Sequence, residues 1–358
     1  MSERLSIRSY RHQYSVEFVS DYAGALRDQL QPGDCLIIDQ HVLELHPGLR
    51  VCVEGFQRIL IDPSEQAKSY EALIPIIQEL IDNRFTKKNR LVAIGGGIVQ
   101  DISAFTASIL FRGVDWLFFP TNLLTQCDSC IGSKTSINFG AYKNQLGGFF
   151  PPKAVYIDLA FLSTLPVREI HSGLGEMMHY FLVSGEDDFR WAEIQLDGAL
   201  HDREVLRQMI RRSLEIKKEM IERDEFDQGP RNVFNYGHSF GHALESATQY
   251  AVPHGIAVSY GMDLANVISS RLGLIPMSLR NRIRPVLAKV WSDTAVDQVD
   301  CSAFCAALAH DKKNEGREIK VILTNGIGQM FKTTIVLDSK IAHLIESYFR
   351  DQLFNKDL

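Results

Sequence analysis

The chain has 358 residues, more than one ordinary hydrophobic core organises, so two domains are expected. Hydrophobic residues at 45% and charged residues at 23% give a globular composition and exclude a disordered chain. The formal net charge of -6 excludes a nucleic-acid binder that relies on a broad cationic face, yet permits a local basic pocket for a small anion.

Along the first sixteen residues, Glu3, Arg4, Arg8, Arg11 and His12 alternate with single apolar residues, without the apolar block of a signal peptide. No stretch approaches the roughly 18 uninterrupted apolar residues of a membrane span, so a cytoplasmic protein without membrane contact is expected. Six cysteines are too few for a disulfide scaffold of this size, and reduced thiols are expected. Cys35–Asp39 and Arg58–Ile61 predict buried strands, Tyr70–Asn83 an amphipathic helix, and Leu91–Ile94 a further strand. That β, α, β order predicts a parallel, Rossmann-like sheet. Gly95, Gly96 and Gly97 follow the last strand and lead to a helix predicted over Asp101–Ile109. Such a turn lets backbone amides approach a pyrophosphate, although a tight strand-to-helix turn needs the same residues. After Leu165-Pro166 the pattern changes to long helices: Val167–Val183, Glu204–Glu222, His238–Tyr250, His254–Leu272 and Lys340–Tyr348, with a strand over Ile319–Leu323. The reading is a Rossmann-like α/β domain over 1–165 and a mainly α-helical domain over 166–358.

Three clusters carry chemistry. Glu176 and His179 lie one turn apart on one helix face, as do His238 and His242, and His254 opens the next helix. Carboxylate and imidazole at these spacings can converge on one divalent metal with an open position, and spacing alone makes both His238 and His242 candidates. The bland alternative is that these histidines are helix-surface or core residues. A second cluster, Asp128 to Thr135 followed by Lys143 and Asn144, is a Gly/Ser-rich loop with lysines that suits a phosphate. It lacks the Walker spacing, which excludes nucleoside triphosphate hydrolysis on that motif. The third is basic: Lys217, Lys218, Arg231, Lys312 and Lys313.

The runs GGGIVQDISAFTASILFRGVDWLFFPTNLLTQCDSCIGSKTSIN, KNQLGGFFPPKAVYIDLAFLSTLPVRE, GLGEMMH, RNVFNYGHSFGHALE, HGIAVSYGM and HDKKNEG resemble, in order, the 3-dehydroquinate synthase family of sugar phosphate cyclases. The resemblance implies a Rossmann-like NAD domain followed by a helical metal domain. It implies Glu176, His238 and His254 as ligands of a divalent metal, zinc with cobalt as the alternative, and turns His242 to the substrate phosphate. Asp128, Lys134, Lys143 and Asn144 take catalytic positions between cofactor and substrate. Lys217, Arg231, Asn235 and Lys312 take substrate-binding positions, His179 stands at the substrate-binding position of a family lysine, and Arg112 reaches across a homodimer. The implied NAD pocket comprises Asp39, Glu65, Lys68, Gly96, Gly97, Asp101, Thr121, Asn122, Lys143, Phe161 and Thr164. The implied chemistry is oxidation of a substrate alcohol, loss of phosphate, return of the hydride and intramolecular aldol closure on a heptulosonate phosphate.

The chain departs from the family's pattern at several positions. His179 stands for a lysine, Ser133 for glycine, Cys130 for serine, Asn122 for threonine and Phe234 for leucine, and Asn138-Phe139-Gly140 before Lys143 and Asn144 resembles cyclases that make valiolone-type cyclitols. Replacing a permanent cation by an imidazole at 179 weakens a carboxylate site, whereas Arg231 and Asn235 keep the acid-binding pattern. A cyclase of another sugar phosphate, of the 2-epi-5-epi-valiolone synthase or 2-deoxy-scyllo-inosose synthase type, is therefore the alternative. A metal-dependent polyol dehydrogenase is the second.

Overall fold

The computed structural model describes residues 4–140, 142–291, 294, 296, 299–309 and 318–351. The chain divides into two compact units, Met1–Pro166 with Lys217–Phe226, and Val167–Ile216 with Asp227–Leu358.

In the first unit, β1 (Arg4–Arg8) and β2 (Gln13–Phe18) form a hairpin, followed by α1 (Tyr22–Gln29), β3 (Cys35–Asp39), α2 (Gln40–Leu45), α3 (Pro47–Cys52) and β4 (Gln57–Ile61). Then come α4 (Tyr70–Asp82), β5 (Leu91–Gly95), α5 (Gly97–Ile109), β6 (Trp116–Pro120), β7 (Lys134–Phe139), β8 (Tyr142–Phe149) and β9 (Ala154–Ile157). Seven strands make one sheet in the order β1-β2-β9-β6-β5-β3-β4, parallel except for the β1–β2 pair. β3, β5, β6 and β9 are buried along their whole length, as strands covered on both faces must be, and their unbroken apolar runs follow from that. The edge strands β1 and β4 keep exposed positions. Leu36, Ile38, Val92, Ile94, Leu117 and Phe119 form the core under α1 and α3.

The second unit contains α6 (Val167–Ser184), α7 (Glu186–Ala199), most of α8 (Arg203–Arg223), α9 (His238–Ala247), α10 (His254–Arg271), α11 (Met277–Ala288) and α12 (Cys301–Ala309). A hairpin of β10 (Glu318–Thr324) and β11 (Met330–Val336) and the helix α13 (Ser339–Asp351) complete it. α10 is buried from Gly255 to Ser269 and forms the centre of the bundle, which explains its lack of a polar stripe. Its one acid in that stretch, Asp263, is neutralised by Arg280 at 2.7 and 2.8 Å and accepts from Tyr348 Oη at 3.1 Å. No helix among the described residues is long and apolar enough to cross a membrane. All six cysteines are thiols.

The helix expected from Asp101 begins four residues earlier, at Gly97, with Gly96 as its N-cap. The Asp128–Thr135 segment is not a loop throughout. Thr125–Ser129 is a π-helical turn, and Lys134 already belongs to β7, which pairs with β8 carrying Lys143 and Asn144.

Candidate active site

In the first unit the sheet changes winding direction between β3 and β5. From β3 the chain goes to β4 on one side, then returns across to β5 and β6 on the other. The crevice at the carboxyl ends of such strands is where open α/β sheets take ligands. Asp39 ends β3, and Gly96 and Gly97 follow β5. Asp39 Oδ1 caps α2, accepting from His41 N at 2.9 Å and Val42 N at 3.3 Å. Burial pushes its carboxyl above the usual range against those two bonds. Gly96 is closely invested, since a Cβ there would lie 2.5 Å from Asn122 Nδ2. A Cβ on Gly97 would meet nothing within 4 Å, so the first turn of α5 opens onto space that a ligand can use. Thr121 N bonds the carbonyl of Gly95 at 3.0 Å, and Asn122 Oδ1 accepts from Thr125 N at 2.9 Å.

One polar network joins most of the remaining expected residues of this unit. Lys68 Nζ lies 2.6 Å from Asp101 Oδ2, and burial raises the Asp101 carboxyl while Lys68 opposes that rise. Asp101 Oδ1 also accepts from Ser136 N at 3.2 Å, and Ser136 Oγ stands 3.1 Å from Asn144 Oδ1. Asn138 closes the circuit. It accepts from Asn144 N at 2.9 Å, donates to Glu65 Oε1 at 2.8 Å, and its backbone N bonds Lys68 O at 2.8 Å. Lys143 Nζ is 3.7 Å from Glu65. Asn144 holds a left-handed φ of 54° inside β8, the kind of local strain that surrounding bonds must maintain.

Asp128 lies on the π-helical turn, where its carboxylate and carbonyl both receive Lys217 Nζ, at 2.6 and 2.7 Å. The segment bearing Lys217 is fastened to the β1–β2 turn through Glu222, which takes Arg8 N at 2.9 Å, and Glu225, which takes Tyr10 N at 2.8 Å. Arg112 is exposed on a turn in which Phe111, Arg112 and Gly113 have φ of 48°, 61° and 112°. Lys134 is also exposed. Phe161 is buried in the core, stacked on Tyr22 at 4.4 Å. Thr164 Oγ1 bonds His46 Nε2 at 3.1 Å.

In the second unit, Glu176, His238 and His254 come together from α6, α9 and α10. Each is next to a glycine whose missing side chain lets backbones approach. A Cβ on Gly175 would overlap the carbonyl of Gly255, and one on Gly255 would overlap that of Ser172, so α6 and α10 touch where Glu176 and His254 sit. Glu176 Oε1 is 3.5 Å from His238 Nε2, and Oε2 is 3.7 Å from His254 Nε2. These separations exceed good hydrogen bonds. Two donors about 2.1 Å from one tetrahedral ion stand about 3.4 Å apart, so the set fits a divalent metal. Glu176 is almost wholly buried and its Oε2 has no hydrogen-bond partner among the described residues, the condition a cation would relieve. Burial opposes its ionisation, but the facing His238, His179 and His254 outweigh this and hold the carboxyl well below its usual range.

His242, by contrast, is exposed, stacked 5.5 Å from His254, and is not within the trio that contains Glu176. The i, i+4 spacing therefore does not bring both histidines of α9 to Glu176. His179 is fully buried, 3.7 Å from Glu176 Oε1, with its ring edge-on to Phe234 and Tyr180. Arg231 is buried, and Asn235 Nδ2 donates to Asn232 O at 3.1 Å. Lys312 lies outside the described residues.

Sequence reading missed Ser136, although with Lys134 and Asn138 it falls at alternate positions of β7. It also missed Glu245, which accepts from His254 Nδ1 at 3.1 Å. Its place at i+7 from His238 on α9 was the available signal.

Comparison with known proteins agrees with this arrangement. Residues 58–172 match the model of the 3-dehydroquinate synthase N-terminal region, and residues 173–314 that of its C-terminal region. The 3-dehydroquinate synthase of Sulfurovum sp. (strain NBC37-1) is 38% identical over 291 residues, covering 81% of this chain and 82% of that protein. A 2-deoxy-scyllo-inosose synthase solved with carbaglucose-6-phosphate, NAD+ and Co2+ shares the fold, at a TM-score of 0.85 and 22% identity over 97% of this chain and 99% of that one. The 2-epi-5-epi-valiolone synthase of Streptomyces hygroscopicus subsp. jinggangensis 5008, solved with NAD+ and Zn2+, gives 0.82 at 26% identity, covering 96% and 97%. The protein is thus an enzyme of the sugar phosphate cyclase class, and the chain belongs to the 3-dehydroquinate synthase family.

Proposed function

We propose that the protein cyclises a heptulosonate phosphate in the manner of a 3-dehydroquinate synthase, with NAD held by a Rossmann-like domain over 1–165 and a divalent metal, zinc or cobalt, by the helical domain over 166–358. The observation that carries this reading is the trio Glu176, His238 and His254 with its metal-sized separations, in a chain similar over most of its length to an enzyme of that name. When bound, the metal polarises a substrate hydroxyl and NAD stores a hydride for return, so no net redox change accumulates.

The chain's own residues bind and orient. Asp39, Glu65, Lys68, Gly96, Gly97, Asp101, Thr121, Asn122 and Lys143 would hold the dinucleotide, with Phe161 and Thr164 shaping its pocket from the core side. Lys134, Lys143 and Asn144 would contact a substrate phosphate, and the exposed His242 is the second unit's own candidate for such a contact. Arg231 and Asn235, with Lys312, would take the rest of the acid substrate. The Asp128 carboxylate fixes Lys217 Nζ so that its remaining N–H is aimed rather than mobile. Arg112 would serve a neighbouring subunit in a two-fold homodimer, and a cytoplasmic location fits such an enzyme. Such positioned charges contribute most when aimed at a dianion in a water-poor site.

One observation favours a second reading. His179, buried against Phe234 and Tyr180, supplies no permanent cation beside Glu176, as suits a cyclase whose sugar phosphate carries no carboxylate. Phosphate release from heptulosonate phosphate, sedoheptulose 7-phosphate and glucose 6-phosphate, with NAD and metal supplied, decides between them. Turnover of the first alone supports the proposal; turnover of either other sugar without it supports the second reading. His179→Lys should then move preference toward the heptulosonate phosphate, and an unchanged preference removes this residue from the account of specificity.

A further inference from the structure

We propose that Glu245 is a positioning residue for His254: by accepting the Nδ1–H, it fixes the tautomer and ring orientation that turn the Nε2 lone pair to Glu176. The inference rests on the metal site proposed above.

His254 is the first residue of α10, preceded by Pro253, and its side chain is 29% exposed, so packing alone does not set the ring. Its two nitrogens have different neighbours. Nδ1 is 3.1 Å from Glu245 Oε2, a hydrogen-bond distance, whereas Nε2 is 3.7 Å from Glu176 Oε2, too long for one. A neutral imidazole carries one proton, so a proton on Nδ1 leaves the lone pair on Nε2. His238 repeats the arrangement: its Nδ1 lies 3.3 Å from the carbonyl of Tyr236 and its Nε2 3.5 Å from Glu176 Oε1. Both histidines thus have an acceptor behind them and the gap in front, which is how metal-ligating imidazoles are held. The acceptor behind His254 is a carboxylate, which polarises the ring more strongly than the carbonyl behind His238. Glu245 and His238 share one face of α9, so this single helix sets one candidate ligand directly and the other through Glu245.

The same helix offers a rival arrangement. His242, Glu245 and His254 also offer three donor atoms within 4.8 Å of one another, a set that would hold a second cation. A neutral His254 cannot serve both sets, because its one lone pair points to only one of them.

The test is Zn2+ affinity measured on the purified full-length protein by competition with a chromophoric chelator, with metal stoichiometry determined in parallel. Glu245→Ala should keep about one site per chain with affinity lowered about 10- to 100-fold. Glu245→Gln, which keeps a neutral acceptor, should restore most of the loss. Histidine 15N spectra of the metal-free protein should show His254 protonated on Nδ1 in the wild type and a shift toward the other tautomer in Glu245→Ala. Where Glu245→Ala does not fold, the wild-type tautomer and the Glu245→Gln affinity decide. Wild-type Zn2+ affinity in Glu245→Ala, or an Nε2-protonated His254 in the wild type, overturns the inference. Two Zn2+ per wild-type chain, one of them lost in both Glu245→Ala and His242→Ala, would make Glu245 a ligand instead. If Glu176→Ala and His238→Ala leave Zn2+ affinity unchanged, the proposed metal site itself fails, an outcome separate from failure of Glu245 alone.

Discussion

Gly96 and Gly97 are adjacent in sequence yet should respond to the same substitution in opposite ways. At Gly96 a new Cβ would stand 2.5 Å from Asn122 Nδ2. Asn122 cannot swing aside without releasing Thr125, whose backbone N and Oγ1 reach its Oδ1 at 2.9 and 2.8 Å. With about 1 kcal/mol net for each bond, Gly96→Ala should cost about 2 kcal/mol. For a unit of this size that lowers its melting transition by about 4–8 °C. At Gly97 the Cβ would meet no atom within 4 Å, and alanine favours a helix over glycine by up to about 1 kcal/mol. Gly97→Ala should therefore melt at or slightly above the wild-type temperature. It should nevertheless lose NAD, by about 100-fold or about 2.7 kcal/mol, because the methyl occupies the approach to the first turn of α5. Thermal melts and NAD titration of the metal-free protein measure both. Asn122→Ala should already contain the Gly96→Ala penalty, so the double variant should be less destabilised than the sum. Wild-type NAD affinity in Gly97→Ala, or an unmoved melt in Gly96→Ala, would refute the assignment of this turn.

Two further outcomes concern stability and thiol chemistry. Burial opposes ionisation of Asp188, but Arg212, bonded at 2.7 and 2.9 Å, holds its carboxyl below the usual range. Its folded pKa is thus below its unfolded value of about 3.9, so its contribution is complete above that pH and is lost as pH falls through the folded pKa. Asp188→Asn should be about 1–2 kcal/mol less stable than wild type near neutrality, and urea melts should show the gap closing below about pH 4; a gap that persists in acid would contradict the ion pair. Burial pushes the Cys35 thiol up to about 12 and raises those of Cys130, Cys301 and Cys305. A thiol-reactive chromophore at neutral pH should therefore find no fast-reacting cysteine until denaturant exposes six, and a rapid native reaction at Cys35 or Cys130 would contradict the burial of these thiols.

The sequence made the parallel sheet legible because its central strands are covered on both faces and read as unbroken apolar runs. The long helices were legible for a similar reason, since their burial stripes are long. β1, β2 and the β7–β8 hairpin were not, because their residues alternate or carry the polar network of Lys134, Ser136 and Asn138, which reads as a loop. The start of α5 was placed late because three glycines mask a helix whose first turn is held by strand and turn contacts. On α9, spacing equated His238 with His242, but the neighbours of the other helices decide which one faces Glu176. Gly175 and Gly255, which let α6 and α10 meet, carry no signal of chemistry in the sequence, and Glu245 gained meaning only from its 3.1 Å approach to His254.

The central claim is a cyclase in which the hydride leaves and returns within each turnover. Its most direct test follows phosphate and NADH together in one time course, with the accepted sugar phosphate, NAD and Zn2+ present. The account predicts phosphate accumulating over many turnovers while NADH never exceeds the enzyme concentration, and no phosphate after the metal is removed. NADH rising in step with substrate consumed, without phosphate, would contradict it and identify a polyol dehydrogenase instead.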